Sequence, residues 1–260
     1  MKIQWLAENF YEKKYIDKIL NELSKKDLDF EKYDFLIGSL EQLSCQSHNC
    51  KKTIALILSD EWRRPISFNN DIFLGFRHYN RNQENIFEIP LGYTKNFQDI
   101  EMKSIKDRNI YIGFSGQVPT NHRRNLLNFI TNNFADLVKL NISNGFAKGL
   151  SGKDYSNFLM NTKIAFCPTG NINSETFRFF EAAKSGCIVL SVNQPQNYIY
   201  EECPMLNIND KEIVAKVYDI ILDENIQQEY QNKTLDWWNR ICSEKSIANF
   251  IFEKIKEKEI

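Results

Sequence analysis

Glycine-rich phosphate loops, membrane spans and an excess charge of either sign are all missing from this chain of 260 residues. There are 10 glycines and 6 prolines, and neither a P-loop nor a Gly-x-Gly-x-x-Gly turn occurs. That speaks against nucleotide-metabolising enzymes that cradle phosphate in such turns. No apolar run approaches the roughly 18 residues of a bilayer span. The opening stretch, MKIQWLAENFYEKK, is too short and too charged for a secretion signal. A cytoplasmic location is expected, with peripheral attachment at the inner face of a membrane as the alternative. The 33 basic and 34 acidic side chains give a net charge of −1, so no nucleic-acid partner is expected.

The six cysteines, Cys45, Cys50, Cys167, Cys187, Cys203 and Cys242, lack the spacing of a disulfide scaffold. Cys167 and Cys187 lie in apolar runs, where they act as small hydrophobes. Cys45, His48 and Cys50 could in principle hold a metal, but no second Cys/His pair follows at finger spacing, and a surface loop is expected. Asp27-Leu28-Asp29 has the Asp-x-Asp form that binds the metal of a nucleotide sugar in some transferases. No strand leads into it, so it too is expected as a solvated loop. No metal and no cofactor are expected.

Hydrophobic residues make up 42% and charged residues 26%, a globular balance. Residues 8–24 have the spacing of an amphipathic helix. Four apolar runs follow as expected strands: Tyr33–Gly38, Thr53–Ser59, Asp71–Arg77 and Ile86–Pro90. Gln98–Arg108 is polar, weakly patterned and the best candidate linker. Beyond it, strands are expected at Asn109–Phe114, Lys163–Cys167 and Cys187–Ser191. Helices are expected at His122–Val138, Asp154–Asn161, Thr176–Ser185, 210–222 and 226–242, with a last one running to Ile260. Continuous apolar runs between turns suit parallel strands covered on both faces. The alternation predicts doubly wound α/β domains. Such sheets bind ligands at the carboxyl ends of their strands, where this chain has Ser59-Asp60-Glu61, Ser115-Gly116 and Pro168-Thr169-Gly170.

The densest segment runs from Tyr155 to Ser191. A polar loop ending in Glu175 leads into a helix whose first turn holds Thr176 and Arg178. Backbone N–H groups and the helix dipole favour an anion there, and Arg178 adds a forked donor. Glu181 falls on nearly the same helix face, where an acceptor-only carboxylate suits the paired hydroxyls of a ribose. An ordinary surface Glu/Arg pair has the same spacing.

This segment resembles the nucleotide-sugar-binding half of GT-B glycosyltransferases of the exostosin-like group. The resemblance is carried by Cys167-Pro-Thr-Gly170, Thr176-Phe-Arg178, Glu181-Ala182 and Gly186-Cys-Ile-Val189. Upstream, Phe114-Ser-Gly116 with Arg123 and Arg124 is similar to the family's strand end and following arginine. Leu58-Ser-Asp-Glu61, Phe76-Arg-His-Tyr79 and Ile89-Pro-Leu-Gly-Tyr93 resemble the ribitol-phosphate xylosyltransferase branch and its bacterial relatives. The likeness covers roughly residues 53–192. It departs from the family in a short N-terminal part and in Val189 where proline is frequent.

The resemblance implies two Rossmann-like domains facing across a cleft. Residues 1–100 would form the acceptor side and 101–240 the donor side, with 241–260 a helix crossing back. It implies an inverting transfer from a nucleoside-diphosphate sugar to a glycan, polyol-phosphate or lipid-linked acceptor. In an organism with this Lys/Asn/Ile-rich composition, bacterial surface polysaccharide is the expected setting. Ser115, Gly116, Arg123, Arg124, Thr169, Gly170, Glu175, Thr176, Arg178 and Glu181 are the donor-binding candidates, with one of Arg123 and Arg124 expected to touch the donor. Inversion needs a general base. Asp60 is expected to project from the sheet edge for this role, with Glu61 and His78 as alternatives. A different class, a non-catalytic subunit that keeps only the nucleotide-sugar site, is also compatible with the short N-terminal part.

Overall fold

The computed structural model describes residues 1–45, 52–67, 72–79, 82–145 and 148–260. His48 and Cys50 of the expected surface loop lie outside the described residues. The chain forms two compact units. One joins Met1–Lys95 to Ile241–Ile260, and the other is continuous over Asn96–Arg240.

The first unit contains β1 (Lys2–Trp5), α1 (Lys13–Leu23), β2 (Tyr33–Gly38), α2 (Leu40–Ser44), β3 (Lys52–Ile57), β4 (Leu74–Arg77) and β5 (Ile86–Glu88). Its five strands are all parallel and lie in chain order. Alternate residues serve opposite faces. Leu36, Ala55, Ile57 and Ile86 pack with Leu40 and Leu43 of α2. Phe76 and Phe87 meet Phe250 edge-on, a residue of the late helix α8 (Glu244–Glu259). α8 is anchored further by Glu259, which accepts from Tyr33 Oη at 2.6 Å and pairs with Lys52 at 2.5 Å. Ser39 and Gln42 cap α2 reciprocally.

In the second unit, β6 (Ile110–Gln117), α3 (Asn121–Phe134), β7 (Val138–Ser143), α4 (Gly152–Met160), β8 (Thr162–Cys167), α5 (Phe177–Lys184) and β9 (Ile188–Ser191) alternate. A two-residue β10 (Leu206–Asn207) and the helices α6 (Ile213–Leu222) and α7 (Glu224–Trp237) follow. This sheet is also parallel, in the order β10-β9-β8-β6-β7. The chain steps from β6 out to β7 and returns on the other side to β8. Strand order therefore reverses between β6 and β8, which opens a crevice at their carboxyl ends.

Three strands depart from the sequence expectation. β1 and β7 are edge strands with largely exposed side chains, and β10 is too short to carry a pattern. The helix expected to reach Val138 ends at Phe134. The backbone leaves helical geometry at Ala135, and Val138 already opens β7.

The stretch expected as a linker is folded into the second unit. Ile105 is fully buried, and its N–H donates to Gln231 Oε1 of α7 at 3.0 Å. Arg108 is 2% exposed. Its guanidinium donates to the carbonyls of Lys103, Thr162 and Ser185 at 2.9, 2.9 and 2.7 Å, and to Leu159 at 3.4 Å. It also approaches Cys187 Sγ at 3.4 Å. One side chain thus joins the start of β8 to the end of α5. Replacing it with methionine strands several buried acceptors, each costing about 1–3 kcal/mol. Urea denaturation of Arg108→Met is expected to show a loss of at least about 3 kcal/mol. Arg108→Lys should recover only part of it, because an ammonium cannot span carbonyls so far apart.

Candidate functional site

The donor-site candidates converge on the crevice of the second unit. β6 runs through Phe114 and Ser115 to Gly116, which holds φ at +149°. The Arg178 guanidinium lies against that glycine. A Cβ there would stand 2.1 Å from Arg178 Nη2, so only glycine fits. Arg178 Nε donates to the Ser115 carbonyl at 2.8 Å, and its central carbon sits 5.0 Å from the Phe114 ring centre. Its Nη groups have no hydrogen-bond partner among the described residues. Thr176 caps α5 by accepting from the Phe179 N–H, and Arg178 belongs to the first turn of that helix, where backbone N–H groups lack intrahelical acceptors.

The turn after β8 is built on backbone contacts. Gly170 N–H donates to Asn173 O at 2.7 Å, and a Cβ on Gly170 would crowd that same oxygen. Glu175 is buried and accepts from Tyr200 Oη at 3.0 Å. Arg123 is also buried. It donates to Thr169 O through Nε at 3.0 Å and Nη2 at 2.5 Å, and to Gln117 O through Nη1 at 2.9 Å. It ties the end of β6 to the turn after β8. Arg124 is exposed and donates to Asn121 Oδ1 at 3.0 Å.

Glu181 differs from the expectation of a surface carboxylate. It is 3% exposed on α5 and accepts a hydrogen bond from Tyr155 of α4. Burial raises the Tyr155 hydroxyl well above its ordinary value, and the Glu181 charge adds to that while Arg178 opposes it. Burial also raises the Cys167 thiol, so it stays protonated.

Asp60 also departs from expectation. It is 2% exposed, and both carboxylate oxygens are engaged. Oδ2 accepts from Arg77 Nη2 at 2.8 Å and from the Arg64 N–H at 3.0 Å; Oδ1 accepts from Arg64 Nε at 2.9 Å. Asp60 fastens the ends of β3 and β4 together instead of projecting from them. Glu61 is half-buried in the turn that follows.

His78 directly follows β4 and is fully buried. Its Nδ1 lies 3.2 Å from the Ile89 carbonyl. A residue with no sequence signal, Glu12 at the start of α1, is near enough to act on the charge of the His78 ring. Glu12 is buried and accepts from Ser59 Oγ at 2.6 Å. Ser59 and Tyr79 both hold left-handed backbone, at φ 59° and 58°, each costing on the order of 1–3 kcal/mol. That strain is stored where β3 and β4 have just ended.

No protein-family model and no curated protein matches the chain. Solved structures do. An α-glucosyltransferase in complex with UDP-glucose and abasic DNA aligns with a TM-score of 0.58, 7% identity and coverage of 95% of this chain and 84% of that one. AviGT4, a glycosyltransferase of avilamycin A biosynthesis, aligns with a TM-score of 0.58 and 11% identity, covering 95% and 90%. An α1,3-fucosyltransferase aligns with a TM-score of 0.57 and 14% identity, covering 98% and 90%. The fold is GT-B. Both units are Rossmann-like halves of that fold, and the Arg178 crevice lies in its C-terminal half.

Glu181 is therefore part of the packed structure. Glu181→Ala leaves the Tyr155 hydroxyl without its partner, and thermal melts should show a loss of about 1–3 kcal/mol. Glu181→Gln keeps an acceptor oxygen and should retain most of the stability.

Proposed function

We propose that this GT-B chain is a glycosyltransferase that moves a sugar from a nucleoside-diphosphate sugar to a hydroxyl acceptor. The second unit holds the donor and the first handles the acceptor. The observation that carries the reading is Arg178. Its guanidinium is held through Nε and against the Gly116 surface, its Nη groups have no hydrogen-bond partner among the described residues, and it belongs to the first turn of α5, which follows the strand beside the point where strand order reverses. A fork held in this way at a helix N-terminus supports the binding of an anion such as phosphate. A leaving diphosphate needs that positive charge in the transition state, and the reading calls for no cofactor.

Of the two arginines on α3, neither is needed for the donor in this reading, since Arg123 serves Thr169 and Gln117 and Arg124 stands exposed. The turn through Thr169 and Gly170, with Glu181 behind it on α5, is the candidate for the nucleoside. Inversion at the anomeric carbon requires a base. With Asp60 committed to its arginines, His78 takes that role ahead of Glu61. The acceptor class is a glycan, a polyol phosphate or a lipid-linked sugar. The exostosin-like character rests on the motifs of residues 53–192, and a place in bacterial surface-polysaccharide synthesis rests on the Lys/Asn/Ile-rich composition.

Thermal melts with UDP, GDP, CDP and their sugars test this. A nucleotide at 100 times its dissociation constant adds about 2.7 kcal/mol. One nucleotide series is expected to stabilise the chain, and Arg178→Met or Gly116→Ala should lose that gain while leaving the apo melt within about 1.5 kcal/mol for Arg178→Met. No shift with any nucleotide sinks the reading. Binding with no turnover on any acceptor or on water moves it to a donor-binding subunit without catalysis.

A further inference from the structure

Among the described residues of the first unit, three buried side-chain acceptors have no hydrogen-bond partner: Asp34 Oδ1, which has Lys2 Nζ at 3.8 Å, and two with no such cation, His78 Nε2 and Glu12 Oε2. The Nδ1 atom of His78 bonds the Ile89 carbonyl, which only accepts. The neutral ring therefore carries its proton on Nδ1 and a lone pair on Nε2. Nε2 is buried and has no partner. Glu12 uses Oε1 for Ser59, while its Oε2 is buried and likewise has no partner. Burial lowers the His78 imidazole from its ordinary value and so favours the neutral ring; Arg77 adds to the drop. The Glu12 carboxylate and the carbonyls of Ile89 and Pro90 act in the opposite sense. Buried acceptors without donors are costly, and each calls for a reason.

Their placement supplies one. Ser59 follows β3, His78 follows β4, and Glu12 opens the helix after β1. All three stand at the carboxyl edge of a parallel sheet, where such sheets bind ligands. Among the described residues no third His, Cys, Asp or Glu joins the pair to complete a metal site. An anionic ligand would be repelled by Glu12. Two acceptors select a ligand that brings two O–H donors.

We infer that Glu12 Oε2 and His78 Nε2 bind neighbouring hydroxyls of a polyol or sugar. The catalytic half of the inference rests on the glycosyltransferase reading. In it, the acceptor hydroxyl gives its proton to His78 Nε2 as its oxygen bonds the anomeric carbon. The bond from that carbon to the diphosphate oxygen breaks, and its electron pair leaves with the nucleoside diphosphate. Glu12 orients the second hydroxyl and stabilises the imidazolium that forms.

The chain has three histidines, so long-range proton–nitrogen NMR of the full protein resolves them. His48→Gln and His122→Gln identify the His78 signals. At neutral pH, His78 is expected as the Nδ1–H tautomer. Its Nε2 resonance should move saturably with glycerol, xylitol or methyl β-D-glucoside, and less with 1,3-propanediol, whose hydroxyls are not adjacent. Glu12→Gln should weaken that titration at least ten-fold. An Nε2 signal that none of the polyols moves leaves only a held water and overturns the inference, as does an equal response in Glu12→Gln. In turnover, His78→Gln should lower transfer by about 10²–10⁴-fold with nucleotide affinity unchanged within a few-fold. Normal turnover in that variant overturns the proton transfer. Absence of nucleotide binding overturns the donor reading alone, because the polyol titration needs no nucleotide.

Discussion

Carbonyl groups left over where a parallel strand ends must find donors, and in this chain buried arginines supply them. Arg108 gathers four carbonyls around the start of β8 and the end of α5. Arg123 does the same for Gln117 and Thr169 at the opposite edge. Arg77 reaches the Arg64 carbonyl at 3.0 Å and clasps Asp60. An arginine can do this because its planar fork spreads several donors at once and is hydrated more weakly than an ammonium. The loops at the sheet edges are thereby pinned with few glycines and prolines to shape them.

Arg178 uses the same device more sparingly. It too donates to a strand-end carbonyl, that of Ser115. It uses one N–H for this, and the ring of Phe114 and the bare face of Gly116 hold the rest of the group in place. Position is fixed by a small part of the side chain, and the strongest part stays available. An arginine that spends all its donors is a clamp, and one that spends a single donor keeps the rest of its fork available.

This distinction decides how far the sequence could be read. Strands covered on both faces were legible because they are continuous apolar runs, and β2 falls on Tyr33–Gly38 as its composition demands. Edge strands such as β1 and β7 hold no fully buried side chain and look like ordinary polar chain. Arg178, Ser115 and Gly116 were legible through their spacing around strand ends. The burial of Asp60, Arg123 and Glu181 was not, because each depends on a partner brought in from another element: Arg77, Thr169 and Tyr155. Glu12 had no local signal whatever; its meaning comes from Ser59, 47 residues away. Arg108, at the end of a polar stretch, looked solvated for the same reason.

The divided first unit has a consequence for how the protein is made. The face of its sheet that carries Phe76 and Phe87 is closed by Phe250, which a ribosome adds only after all of 96–240. The second unit is continuous and can fold as it emerges, domain by domain. The first cannot: its apolar face stays uncovered until α8 has been synthesised. Nascent chains halted before residue 244 would therefore carry a finished second unit and an unfinished first one, and that half-built sheet is the surface a chaperone would find.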